Sequence, residues 1–157
     1  MEDDSSLLER HIQSFLESNL NSLGEHLSLV AKEHPVPFGR IDLLARDASN
    51  NLVAIELKLG SAGRDAIGQL QSYMGALKEE EPDVFVRGIL VAASLDPGAE
   101  AAFRVARDIM FISYEVTFSF RQMSISESTY EAWIDRRKPK KTEAAQSILW
   151  LPPSFER

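Results

Sequence analysis

Three charged residues interrupt two apolar stretches of the sequence. Asp42 lies in Arg40–Ala45, and Glu56 and Lys58 lie in Leu52–Lys58. Charged side chains within apolar segments cost free energy unless they are paired or bind something. Two neighbouring carboxylates repel each other unless a hard cation lies between them, and such a cation takes oxygen ligands and activates water. With a lysine beside it to polarise that water, this set of residues indicates metal-assisted hydrolysis of a phosphodiester.

The elements that must position these residues are two strands of one β-hairpin. The segment between the two apolar stretches, Asp47–Asn51, has the composition of a tight turn. Glu56 and Lys58 are two residues apart and therefore share one face of their strand. The alternative interpretation is a Glu–Lys pair on a solvated face of the sheet.

Apolar periodicity predicts the other elements of the chain. Before the hairpin we predict a helix with apolar residues between Leu7 and Leu20 and its end at Leu23-Gly24, and then a strand over Leu27–Ala31 closed by residues 33–37. After the hairpin we predict a helix with its apolar side on residues 66–77 and a strand over Phe85–Ala93. The last two are a helix that begins at Asp96-Pro97-Gly98, with Ala102, Phe103, Val105 and Ala106 facing inward, and a strand over Ile109–Phe120. This order predicts an α/β fold with a mixed central sheet and helices on both faces.

Composition excludes several classes of site. The 157 residues include no cysteine, which excludes disulfides, thiolate zinc sites and cysteine nucleophiles. A net charge of −7 argues against a large, indiscriminate nucleic-acid-binding surface. The acidic start of the sequence does not resemble a signal peptide, and no apolar run is long enough to span a bilayer. We expect a soluble, cytoplasmic protein without a membrane partner.

The C-terminal part differs in character, and we predict a domain over residues 1–122 followed by an extension over 123–157. The extension is predicted to contain a short helix around Trp133, a basic run over Arg136–Lys141 and an apolar tail over Ser147–Phe155. Two interpretations of the basic run stay open, a solvated linker and a DNA-contacting tail.

The order Asp42, then Glu56-Leu57-Lys58, resembles the PD-(D/E)XK nuclease superfamily, and within it the C-terminal nuclease domain of the NucS/EndoMS endonucleases. Residues 39–47 (GRIDLLARD) match the family's strand and turn, and residues 86–92 match its next strand. The QxxxY element is matched by Gln69 and Tyr73. The resemblance covers roughly residues 5–118 and implies a restriction-endonuclease-like fold.

The resemblance also implies roles for single residues. Asp42, Glu56 and the backbone carbonyl of Leu57 would hold Mg²⁺ or Mn²⁺. Lys58 would orient the attacking water and offset charge in the transition state. Glu9, where the family carries an additional acid, would reach the site through a water or a second metal. The alternative for Glu9 is an acid favoured near a helix start, and Glu17, eight residues on, is a rival for the same role.

Three residues of the second predicted helix are candidates for supporting roles. Gln69 and Tyr73 are four apart and share one helical face. The resemblance implies that they steer Lys58 or contact the substrate backbone. Arg64, at the start of that helix, is a candidate phosphate contact. The alternative for Gln69 and Tyr73 is a position at the helix surface and the edge of the core.

The implied function is metal-dependent endonucleolytic cleavage of single-stranded, branched or mismatched DNA, in repair or defence. Members of this family carry a further N-terminal domain that helps to bind DNA and to dimerise, and we expect this chain to lack it. Single-stranded or branched DNA is therefore the expected substrate, with a second subunit or an accessory protein supporting binding. The alternative function is a non-catalytic nucleic-acid-binding or assembly module that keeps the fold, and RNA cleavage is a third interpretation.

Overall fold

A computed structural model describes residues 4–124 and 127–137 of the chain. The chain divides into two compact units, residues 1–116 and 117–157. The predicted domain boundary between residues 122 and 123 stays a prediction. The end of the basic run and the apolar tail over Ser147–Phe155 lie outside the described residues.

The helices and strands of the described residues follow the predicted order, with two very short strands added. They are α1 (Asp4–Ser18), a 3-10 helix (Leu20–Leu23), β1 (Leu27–Val36), β2 (Gly39–Asp47), β3 (Leu52–Leu57), β4 (Ser61–Ala62), α2 (Arg64–Glu80), β5 (Val86–Ala92), β6 (Ser94–Leu95), α3 (Pro97–Phe103), β7 (Ile109–Ser113) and α4 (Glu127–Arg137).

The main sheet has five strands in the order β1-β2-β3-β5-β7. The first three strands are antiparallel neighbours, whereas β3, β5 and β7 run parallel to one another. Strands β4 and β6 form a separate parallel pair. The predicted mixed sheet is confirmed, and β3, at its centre, is buried at all six positions.

Helices cover both faces of the sheet, as predicted. Alternate residues of β3 belong to two different hydrophobic clusters, because successive side chains of a strand point to opposite faces. Leu52 and Ala54 pack in the cluster that contains α2 residues such as Leu70. Val53 and Ile55 pack in the cluster that contains residues of α1 and the 3-10 helix. A strand covered on both sides reads as a continuous apolar run, which makes Glu56 within it conspicuous.

The turn between β2 and β3 is organised by Asp47. One oxygen of its carboxylate accepts hydrogen bonds from the backbone N–H groups of Ser49 and Asn51, each at 3.0 Å. The other oxygen accepts from the side chains of Asn51 and Arg87, each at 3.1 Å. These hydrogen bonds lower the pKa of Asp47, although burial acts in the opposite direction. One carboxylate therefore fixes the turn and ties it to β5.

Two predicted strand boundaries are wrong. Strand β1 continues through Pro35, which pairs with Arg40, instead of closing at residues 33–37. Proline is tolerated there because β1 is an edge strand of the sheet. Strand β7 ends at Ser113 instead of Phe120, since its neighbour β5 ends at Ala92, the partner of Ser113.

The inward orientation predicted for Val105 is also wrong. Helix α3 ends at Phe103, so the helical spacing no longer applies, and Val105 is 80% exposed. In the second unit, α4 confirms the short predicted helix. Its Tyr130 and Trp133 rings stack, and the guanidinium of Arg137 lies 4.0 Å from the centre of the Trp133 ring. Among the described helices, none combines the length and the apolar character needed to cross a membrane.

Candidate active site

The hairpin places Asp42 beside the end of β3. In the ladder between β2 and β3, the pair farthest from the turn is Leu43 with Ile55. Asp42 and Glu56 each lie one residue beyond that pair and so face each other across the two strands. The backbone N–H of Leu57 donates a hydrogen bond of 2.7 Å to Oδ2 of Asp42. The carboxylate of one strand is thus held against the backbone of the other.

Glu56 is buried with one oxygen partnered and one left over. The residue is 2% exposed, and its Oε1 lies 2.9 Å from Nζ of Lys58. Its Oε2 is buried and has no hydrogen-bond partner. A buried carboxylate oxygen without a partner is costly and rare in folded proteins. An orphaned acceptor of this kind fits a site that binds a cation.

The two carboxylates hold their protons more tightly than usual. Burial raises the pKa of Glu56 from 4.5 to about 7, and the charge of Asp42 adds to this effect. Burial also raises the pKa of Asp42 from 3.8 to about 6, and the charges of Glu33 and Glu9 add to it. The hydrogen bond from Leu57 and the charge of Lys58 act in the opposite direction. The hydrogen bond from Leu57 and the charge of Lys58 therefore only partly offset the rise in pKa that burial and the neighbouring acids cause.

Lys58 supplies a fixed positive charge next to Glu56. Burial lowers the pKa of Lys58, but its hydrogen bond and charge interaction with Glu56 outweigh burial and leave the pKa above its ordinary value. The backbone N–H of Lys58 donates to the carbonyl of Val91 at 2.8 Å, which fixes the residue at the end of the sheet. The lysine is therefore protonated at neutral pH and held in position.

The donors present fit a hard cation such as Mg²⁺ or Mn²⁺. Asp42 and Glu56 offer carboxylate oxygens, and Leu57 between Glu56 and Lys58 offers a backbone carbonyl, the ligand types such cations prefer. Across residues 4–124 and 127–137, no three His, Cys, Asp or Glu side chains are grouped closely enough to hold a metal by themselves. Two carboxylates leave room for the several waters that Mg²⁺ usually keeps.

Glu9 lies on α1 and is half-buried. Its negative charge contributes to the raised pKa values of both Asp42 and Glu56, so it acts on both carboxylates of the hairpin. A role for Glu9 through water or a second cation stays a prediction.

Gln69 and Tyr73 contact each other on α2. Nε2 of Gln69 donates a 2.6 Å hydrogen bond to the hydroxyl of Tyr73. Tyr73 as a residue is 2% exposed. The same hydroxyl packs against Gly39 at the start of β2, where an added Cβ would lie 2.6 Å from it. Tyr73 therefore supports the strand that carries Asp42, and the predicted substrate contacts of Gln69 and Tyr73 stay predictions.

Arg64 is exposed at the first position of α2. It lines a groove of 460 Å³ formed by α2 and α3 residues, including Gly68 and Ala102, and none of the site's carboxylates borders this groove. Its predicted phosphate contact stays a prediction.

Two further residues, Gln13 and Glu33, lie near Asp42 and have no role predicted from the sequence. Gln13 of α1 donates hydrogen bonds to Glu33 of β1 and to the backbone carbonyl of Asp42. The spacing of four residues between Glu9 and Gln13 was the available signal, because it places both on one side of α1. The backbone conformation of Glu33 leaves no signal of its own in the sequence.

The family described as Endonuclease NucS C-terminal domain matches residues 8–127, most of the chain. The chain belongs to the NucS C-terminal domain family. The predicted resemblance is confirmed over the part of the chain that carries Glu9, Asp42, Glu56, Lys58 and Gln69.

Relatives and solved structures agree with this assignment to the NucS family. Endonuclease NucS of Corynebacterium kroppenstedtii is 38% identical over 92 residues, which are 59% of this chain and 36% of that protein. Endonuclease NucS of Pyrococcus furiosus is 39% identical over 92 residues, 59% of this chain and 34% of that protein. The chain therefore spans only about a third of the length of these two relatives.

Two solved structures have a similar fold. A structure of an EndoMS–dsDNA2 complex superposes with a TM-score of 0.63 at 32% identity, over 71% of this chain and 46% of that chain. A repair endonuclease from Pyrococcus abyssi superposes with a TM-score of 0.61 at 30% identity, over 73% of this chain and 48% of that chain. The mixed α/β fold predicted from the sequence is thus also that of NucS and EndoMS structures.

Proposed function

We propose that this domain is a divalent-cation-dependent DNA endonuclease that hydrolyses phosphodiester bonds. The observation that carries the proposal is the buried carboxylate of Glu56, which has one oxygen 2.9 Å from Nζ of Lys58 and the other without a partner. The residue lies across the hairpin from Asp42. Relatives named as endonucleases and repair endonucleases support it.

In the proposed reaction each residue of the candidate site would have a separate role. Asp42, Glu56 and the carbonyl of Leu57 would hold Mg²⁺ or Mn²⁺, which when bound supplies a Lewis acid and lowers the pKa of water. Nζ of Lys58 would donate a hydrogen bond to the attacking water and offset negative charge that develops on the phosphoryl oxygens. Glu9 would add negative charge near the two carboxylates, and Gln69 would support Lys58.

The proposed substrate is DNA, and the proposed partner is a second subunit or an accessory protein. DNA binding is supported by the structural similarity to the EndoMS–dsDNA2 complex. The net charge of −7 gives the chain little general attraction to phosphates. We therefore propose cleavage of single-stranded, branched or mismatched DNA, with Arg64 and Tyr73 as substrate contacts and with a second subunit or an accessory protein strengthening binding.

The test is cleavage of end-labelled single-stranded, duplex, flap and mismatched DNA, and of a matched RNA, in Mg²⁺, Mn²⁺ or EDTA. Wild type is expected to cut DNA only with a cation, and Lys58→Ala to lose roughly 100- to 1,000-fold in rate. Lys32→Ala is the matched control, because Lys32 is a surface lysine that pairs with Glu17 at 3.5 Å. Binding of DNA without cleavage in any condition would favour the non-catalytic module.

A further inference from the structure

Glu33 has an unusual backbone conformation at the position opposite the active-site strand. Its φ is +50°, in the left-handed region that residues other than glycine and asparagine rarely adopt. The flanking pairs of the ladder, Lys32 with Leu43 and His34 with Ile41, place Glu33 across from Asp42. Strained residues of this kind persist where surrounding contacts enforce them, and they concentrate at functional sites.

The Glu33 side chain, which is 44% exposed, has two contacts at this position. Nε2 of Gln13 donates a 2.6 Å hydrogen bond to Oε1 of Glu33, and Oε2 lies 3.4 Å from Nη1 of Arg40. Nε2 of Gln13 also lies 3.5 Å from the backbone carbonyl of Asp42. Both partners of the Gln13 amide are acceptors, so its NH₂ group must face them. Gln13 therefore ties α1 to both strands of the β1–β2 pair at the level of Asp42.

The same helix carries Glu9, four residues before Gln13 and on the same side of α1. Fixing Gln13 against Asp42 and Glu33 therefore fixes the direction in which Glu9 faces. The influence of the Glu9 charge on both Asp42 and Glu56 is consistent with this placement.

We propose that Gln13 and Glu33 are positioning residues that hold α1, and with it Glu9, against Asp42 and Glu56. This inference rests on the proposed nuclease function for its effect on rate, while the placement of α1 can be measured without it. Neither residue touches reacting atoms in this scheme, because Gln13 acts through the backbone of Asp42 and through Glu9.

Glu33→Gly is the discriminating variant. Glycine adopts a φ of +50° without strain, so the variant is expected to unfold at the same or a higher temperature than wild type. It lacks the acceptor for Gln13, so kcat is expected to fall roughly 10- to 100-fold, as for other supporting residues of metal sites. KM for DNA is expected to change little. Backbone amide exchange in the first half of α1 is expected to accelerate to the same extent in Glu33→Gly and Gln13→Ala.

Two further variants complete the test. Glu33→Gln keeps an acceptor oxygen and is expected to restore slow exchange in α1 and most of the rate. Glu17→Ala is the matched control, since Glu17 also joins α1 to β1, through Lys32, one turn beyond Gln13. It is expected to leave kcat unchanged.

Wild-type exchange in α1 and wild-type kcat in Glu33→Gly would overturn the inference. If wild type itself cuts no DNA, the proposed function fails, and the exchange measurements alone then decide whether Gln13 and Glu33 position α1. Fast exchange in both single variants, with rescue by Glu33→Gln, would support the inference in that case as well.

Discussion

Nζ of Lys58 lies 2.9 Å from Oε1 of Glu56, while Oε2 of the same carboxylate is buried without a hydrogen-bond partner. The lysine therefore offsets charge at one oxygen of Glu56 and leaves the other oxygen without a partner. This asymmetry suits a carboxylate that has to serve a protein cation and an added cation at the same time. It also makes the site sensitive to protons, which compete for the same oxygen.

Divalent cations are expected to raise the unfolding temperature of the wild-type domain. A ligand that binds only the folded state stabilises it in proportion to the logarithm of its concentration over its dissociation constant. Asp42→Asn and Glu56→Gln each remove a charged ligand and are expected to abolish most of the Mn²⁺-induced shift in a thermal unfolding assay. Asp65→Asn is the control, because Asp65 is an exposed acid in the first turn of α2. An equal shift in Glu56→Gln and wild type would contradict the assignment of Glu56.

In EDTA, the stability contributed by the two acids is expected to fall as pH rises. The pKa values of Asp42 and Glu56 are raised from 3.8 to about 6 and from 4.5 to about 7, so the folded state keeps protons that the unfolded state has lost. Their contribution is fully present below about pH 4 and is lost as pH rises through about 7. Unfolding temperatures measured across this range should converge at low pH for wild type and Glu56→Gln. At about pH 8, Glu56→Gln should be the more stable protein.

Gly39→Ala is expected to destabilise the domain by roughly 2–4 kcal/mol. An added Cβ would lie 2.6 Å from the Tyr73 hydroxyl, and the φ of +147° is strained for any side chain. Denaturant unfolding measures the loss. Tyr73→Phe in the Gly39→Ala background should recover part of it, because removing the hydroxyl relieves the closest contact and leaves only the backbone strain.

Gly68→Ala is the matched control for the glycine prediction. Gly68 lies within α2, and nothing lies within 4 Å of an added Cβ. Alanine is favoured over glycine inside a helix, so the variant is expected to gain roughly 0.5–1 kcal/mol. A loss of stability in Gly68→Ala equal to that in Gly39→Ala would show that the Tyr73 contact is not the cause.

Arg87→Ala is expected to reduce stability by roughly 1–3 kcal/mol without lowering kcat. The guanidinium of Arg87 makes hydrogen bonds of 2.9 and 2.6 Å to Glu25 and one of 3.1 Å to Asp47. Its side chain is 16% exposed, so solvent replaces these partners poorly. Asp47 is five residues from Asp42, about 17 Å along an extended strand, which separates this cluster from the site. Denaturant unfolding and single-turnover cleavage measure the two effects, and a loss of kcat at full saturation would contradict the separation.

The sequence carried enough information for the hairpin and its charges. The charges of Asp42, Glu56 and Lys58 stood out because a charged side chain in an apolar strand costs free energy unless it is paired or binds something. The turn residues between the two strands indicated that Asp42 and Glu56 lie opposite each other. The family resemblance added Glu9, Gln69 and the fold. Neither source contained the partnerless oxygen of Glu56, which depends on how closely the rest of the chain packs around it.

The two wrong strand boundaries have a common physical origin in the neighbours of each strand. Residues up to Phe120 alternate as a strand should, but strand β7 stops where its partner β5 stops. Pro35 reads as a strand breaker, yet it is accommodated because β1 has a neighbour on one side only. The positive φ of Glu33 was likewise not predicted, because nothing in the sequence near Glu33 indicates it.

The turn after β2 has a consequence for how the domain tolerates changes in length. Side chains alternate across a strand, so a slip of β3 by one residue against β2 would turn Glu56 toward the opposite face of the sheet and bring a leucine or isoleucine to its place. The hydrogen bonds from Ser49, Asn51 and Arg87 to Asp47 oppose such a slip. An insertion or deletion of one residue in this turn should therefore abolish the proposed cleavage activity while every residue of the candidate site is still present in the sequence.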